Sequence, residues 1–155
     1  MSDAFAIDFP ESQTLGYLVA DWIEAHCSVP DGFDKGRPFV PSDWQLQIIL
    51  NHYRVKESAR WVPERPVLAP AFVYRRSQVV APQKTGKGPL AAAITAVEAG
   101  GPIVFGGWAE GGELFDCRDH GCGCGFVYEY LPGDAMGIPR NTSLIQLVAT
   151  SEEQV

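Results

Sequence analysis

Residues 79–100, "VVAPQKTGKGPLAAAITAVEAG", set an extended segment against a helix across a short basic turn. Val79 and Val80 are β-branched and favour extended backbone. After the turn, Leu90, Ile94 and Val97 recur at i, i+4, i+7, one face of a helix. Gly100 stands at the position of a C-terminal glycine cap. "GPIVFGG" then reads as a short buried strand. Strand, helix and strand in alternation predict an α/β fold with a parallel sheet and flanking helices. At 155 residues, 46% of them apolar, the chain can fill the core of one ordinary domain.

Upstream, "SQTLGYLVADWIEAHC" carries Leu15, Leu18, Val19, Trp22 and Ile23 on one helical stripe, with Ser12 or Thr14 as a cap. A loop rich in Pro, Gly and Asp follows. "PSDWQLQIILNHYRV" predicts a second helix starting near Pro41 and Ser42, with Trp44, Ile48 and Ile49 on one side. "VPERPVLAPAF" is irregular by its prolines. "FVYRRSQVVAP" reads as two extended pieces, with a hairpin about Arg75 to Ser77. Near the end, Leu144 to Ala149 reads as a strand, and Thr150 or Ser151 as the cap of a helix that has barely begun. The whole chain, 1–155, is therefore expected to be the front part of a longer domain.

The loop Ala81, Pro82, Gln83, Lys84, Thr85, Gly86, Lys87, Gly88 has the order a phosphate nest needs. A strand enters it, a helix leaves it, glycine allows close backbone approach, and a lysine precedes the helix. It departs from the Walker A pattern G-x-x-x-x-G-K-[ST] at Ala81 and at Gly88, where a magnesium-binding hydroxyl would stand. Taken alone, the motif is weak and reads more readily as a solvated basic turn between a strand and a helix.

"FVPSDWQLQIIL", then the 79–112 segment about 40 residues later, then "LIQLVATSEEQV" together resemble the N-terminal ATPase part of phage terminase large subunits of the actinobacterial-phage type. The resemblance spans roughly residues 14–155. It implies a P-loop ATPase that drives double-stranded DNA into a procapsid, using ATP with Mg2+. Lys87 would hold the β- and γ-phosphates, Gly86 would shape the loop, Gln45 would read the adenine edge and Trp44 would pack beside it. It further implies portal and small-subunit partners, a homo-oligomeric ring, and the cytoplasm of an infected bacterium. The acidic pair that completes such an ATPase is absent from the chain, as are nuclease carboxylates. Weak nucleotide binding without efficient turnover is the expectation.

"FDCRDHGCGCGF" places Cys117, His120, Cys122 and Cys124 within eight residues, with glycines between them. Four such donors could enclose Zn2+ tetrahedrally as a structural site. A disulfide, or free thiols on a glycine loop, are the alternatives. "WAEGGELF" and "GFVYEY" could pair across this knuckle, giving an inserted hairpin at about 108–131. Cys27, beside His26 on the first helix, reads as a packed thiol.

The formal charge of −7 disfavours general nucleic-acid binding. No apolar run reaches the ~18–20 residues of a membrane span, and the acidic N-terminus lacks a signal-peptide pattern, so a cytosolic protein is expected. The scattered histidines and the absence of G-x-S-x-G argue against a nucleophilic hydrolase. The rival function is a small, non-catalytic, zinc-stabilised domain for protein contacts, with "QKTGKG" as a surface turn.

Overall fold

The computed structural model describes residues 7–64 and 71–148. Three helices and four short strands follow in the order α1 (Gly16–His26), α2 (Asp43–His52), α3 (Lys87–Gly100), β1 (Val104–Trp108), β2 (Leu114–Asp116), β3 (Val127–Glu129) and β4 (Ala135–Ile138).

α1 and α2 begin where side chains replace missing backbone partners, whereas α3 starts at Gly86 without a side-chain cap. Thr14, not Ser12, anchors the start of α1. Its buried hydroxyl accepts from the Gly16 N–H at 2.9 Å and donates to the Leu50 carbonyl at 2.7 Å. Ser12 lies in a single 3-10 turn, Glu11–Gln13. At α2, Ser42 and Gln45 form a reciprocal capping box, the Ser42 N–H donating to Gln45 Oε1 at 2.9 Å. The last turn of α3 runs through Gly100, and the Gly101 N–H closes it on the Val97 carbonyl at 2.7 Å.

The core lies between these helices and the sheet of β1 and β4. Leu15, just before α1, and Leu18, Val19 and Ile23 from α1 cluster with Ile49 from α2, Leu90 and Val97 from α3, and Val104 and Phe105 from β1. Each fully buried aliphatic side chain contributes about 1.5–3 kcal/mol. α1 and α2 approach so closely that a Cβ on Gly16 would lie 2.6 Å from Leu50 Cα. That obstacle is backbone and cannot rotate away. Gly16→Ala is therefore expected to destabilise by about 1–3 kcal/mol, the usual cost of overpacking, measurable as a lower urea midpoint at unchanged slope.

The structure corrects the parallel P-loop sheet. The described residues form two separate two-stranded sheets, both antiparallel. β1 pairs with β4, Val104 opposite Ile138 and Trp108 opposite Ala135, with an irregularity between Phe105 and Gly107. β2 pairs with β3, Phe115 opposite Tyr128. Alternating elements give a parallel sheet only if the strand before a helix pairs with the strand after it. Here β1 takes a partner from downstream that runs the opposite way, and Val79–Val80 pairs with nothing described. Val80 is 87% exposed.

The hairpin expected about Arg75 to Ser77 is also absent among the described residues. Phe72 makes only an isolated bridge to Val55. Leu144 to Val148 runs without strand pairing. Ala149, Thr150, Ser151 and most of "VPERPVLAPAF" lie outside the described residues.

Candidate metal centre

β2 and β3 are three residues each and carry the cysteine loop between them. A 3-10 turn, Cys117–His120, opens that loop. Asp116 caps it by accepting from the Arg118 N–H at 2.9 Å. The Arg118 side chain holds the Asp116 carboxyl at about 2, well below the usual carboxylate range. The chain then reverses twice. Gly121 and Gly125 both have φ of +80°, backbone that residues with a Cβ rarely adopt. Backbone bonds lock the reversal, Cys122 N–H to the Cys117 carbonyl at 3.0 Å and Cys117 N–H to the Phe126 carbonyl at 3.1 Å.

This folding gathers Cys117, Cys122 and Cys124, and the fourth donor beside them is His26 from the last turn of α1. The four donor atoms all lie within 4.8 Å of one another. His26 Nε2 stands 3.6 Å from Cys117 Sγ, 3.6 Å from Cys122 Sγ and 3.1 Å from Cys124 Sγ. A tetrahedral ion with bonds of ~2.3 Å to sulfur and ~2.0 Å to nitrogen has N···S edges of roughly 3.5 Å. The donor set fits that shape.

The imidazole is set for ligation. Its Nδ1 is 2.8 Å from the Trp22 carbonyl, which can only accept, so Nδ1 carries the proton. Nε2 is left with a lone pair facing the three sulfurs. The same outer contact orients the ring, as a carbonyl or carboxylate commonly does behind a metal-bound histidine. Trp22 stacks on the ring at 4.1 Å, and Phe126 meets its edge at 5.8 Å.

The sulfur protonation pattern also favours a cation. The Phe126 N–H, 3.3 Å from Cys124 Sγ, leads in lowering that thiol to about 7. Burial first, and then the neighbouring Cys124, push Cys117 up to about 12. Three crowded sulfurs cannot all be anionic without a positive charge among them. A divalent ion held by these four donors would supply that charge.

His120 is carried away from this point by the 3-10 turn and stacks on Phe115 at 5.0 Å. Cys27 is half-buried, and burial raises its thiol. All four cysteines are free of disulfides. The donor that sequence spacing did not reveal is His26, 91 residues before Cys117. No local pattern signals such a pairing.

The other candidate region is the loop Ala81 to Gly88. Lys84 has φ of +60° and Gly86, at the start of α3, +91°. Thr85 donates its hydroxyl to the Pro82 carbonyl at 2.8 Å. The Lys87 ammonium donates to the Ala81 carbonyl, folding back on its own loop. Gln45 is brought to this loop, its Nε2 donating to the Gly86 carbonyl at 3.2 Å. Trp44 packs half-buried against the core. Pro82, Gln83 and Gly88 complete the loop, Gly88 already lying within α3.

Comparison with known proteins gives two related phage proteins. The chain is 24% identical to the Gene 13 protein of Mycobacterium phage D29, across 91% of this chain and 21% of that protein. It is 22% identical to the Gene 13 protein of Mycobacterium phage L5, across 92% of this chain and 22% of that protein. The chain thus spans about a fifth of the length of these relatives. No family model matches. No solved structure matches. These findings correct the terminase resemblance. The relatives' names specify no terminase, no family description supports one, and two small antiparallel sheets with a Cys/His cluster stand among the described residues in place of the expected motor sheet. Among the described residues, no helix is long and apolar enough to cross a membrane.

Proposed function

We propose that this chain is a non-catalytic, zinc-stabilised module that works through protein contacts. The observation that carries the reading is the convergence of His26 with Cys117, Cys122 and Cys124 at tetrahedral spacing. Three thiolates and one imidazole suit zinc, and four protein donors leave no place for a reacting water. The ion would fasten the cysteine hairpin to α1. That hairpin needs a fastener, because a two-stranded hairpin is marginal by itself in water. The phage relatives support the cytoplasm of an infected bacterium as its setting, where thiols stay reduced.

Metal analysis tests this directly. One equivalent of zinc per chain is expected, and less than a tenth of an equivalent ends the idea. Removing the metal with a strong chelator is expected to lower the melting temperature sharply. Structural zinc in small peptides is worth about 10–16 kcal/mol at pH 7, as much as the whole stability of a typical domain.

A second reading places a polyphosphate at Gly86 and Lys87. The left-handed backbone at Lys84 and Gly86 just before α3 favours it, since such turns can point successive N–H groups at an anion. The two readings separate in one melting experiment. Under the first, MgATP leaves the melting temperature unchanged, because Lys87 is already engaged with Ala81. Under the second, MgATP raises it as binding to the native state must, and Lys87→Ala removes the rise.

A further inference from the structure

We infer that residues 76–81 and 143–148 form a docking surface that takes up β-strands from the polypeptide which, in the phage relatives, makes up the rest of the chain. This rests on the protein-contact half of the reading above and is independent of the metal.

Among the described residues, the main chain of both segments is unpaired except at Ala81, whose carbonyl accepts from the Lys87 ammonium. Among the described residues, no backbone-to-backbone hydrogen bond involves 76–81 or 143–148. Main-chain N–H and C=O groups normally find partners, in a sheet, on a side chain or in water. The side chains here are not those of a water-facing loop. Val80 is 87% exposed and Val148 92%, with Leu144 and Leu147 also exposed.

The two segments are nevertheless held in place at one end. Ser77 Oγ lies 2.6 Å from His52 Nδ1 on α2. Ser143 donates to the Glu98 carbonyl on α3 at 3.2 Å, and Arg140 pairs with the Glu98 carboxylate at 3.4 Å. A mainly apolar groove of about 380 Å³ lies beside the first segment, lined by Ile48, Val79, Leu90, Ala91 and Ile94 together with His52, Ser77 and Lys87. It shares His52 and Ile94 with a second hollow of about 420 Å³ that reaches Arg75 and Arg140.

These features select the occupant. Unpaired main chain calls for another main chain, as in strand addition to a sheet edge. Exposed β-branched and leucine side chains call for an apolar face on the incoming strand. Arg75, Arg76, Lys84 and Lys87 lie in or beside these segments within a chain of net charge −7, so an acidic rim fits the partner. Pairing this face with itself would set like charges against each other. The match takes up only 21% of the D29 protein, so the relatives carry ample further polypeptide.

Amide hydrogen exchange tests the inference. In the isolated 155-residue chain, residues 78–81 and 144–148 are expected to exchange within seconds, while the α1 amides are slow. Fusing this chain to the remainder of the D29 Gene 13 protein is expected to protect both stretches by about a hundred-fold or more. The intact D29 protein provides the second measurement, because its stretches aligned to these segments should be protected in the native fold whether or not the fusion folds. Three results overturn the inference: full protection in the isolated monomer, protection that appears with concentration as the mass doubles, and fast exchange at the aligned stretches of the intact relative. Zinc content of the same samples reports on the metal separately, so fast exchange at the aligned stretches of a zinc-loaded intact relative sinks only the docking surface.

Discussion

His26→Ala is expected to empty the metal centre, while His120→Ala leaves it filled. The two histidines make a sharp pair of controls, since His120 sits inside the cysteine cluster in sequence and His26 lies 91 residues before Cys117. Only His26 aims a ring nitrogen at all three sulfurs. Loss of a ligand is expected to weaken zinc by more than the about 10- to 100-fold that follows from disturbing a ligand's supporting partner. With cobalt(II) in place of zinc, the wild-type chain and His120→Ala should share a tetrahedral absorption spectrum that His26→Ala lacks. His120→Ala should cost only its stacking on Phe115, about 0.5–1.5 kcal/mol beyond its burial. Equal zinc content in all three proteins would refute the assignment of His26.

Leu18→Ala is expected to destabilise the fold by about 2–5 kcal/mol, the range for removing a buried leucine from a packed core. Leu18 is 2% exposed on the inner face of α1. Its Cδ2 lies 2.8 Å from where a Cβ on Gly137 would stand, so it fills the space that the glycine of β4 leaves open. The same helix carries His26. The loss should appear in thermal or urea unfolding at saturating zinc, so that metal release does not contribute. A change below ~1 kcal/mol would mean that α1 and β4 are not packed as described.

The three helices were legible because their signals are local. Apolar side chains at helical spacing mark α1, α2 and α3, and the Ser42–Gln45 capping box lies within four consecutive residues. The pairing of β2 with β3 was similarly readable, since alternation in "FVYEY" and the glycine loop between the strands point to one hairpin. The sheet direction was not. β1 has a partner 30 or so residues downstream, and whether β1 meets β4 or Val79–Val80 depends on packing against Leu18 and Val97 rather than on strand propensity. The alternation of strand, helix and strand assumed the second pairing, and the parallel fold followed from that assumption.

The sequence by itself determined three helices, one hairpin, and a knot of cysteines whose sulfurs must lie close together because glycines join them over a few residues. Only the tertiary structure decided which histidine meets those sulfurs. Ligation depends on distance in space, and the 3-10 turn swings His120 onto Phe115 while α1, packed by Leu18 and Ile23 against the core, delivers His26 Nε2 to within 3.6 Å of the three thiols.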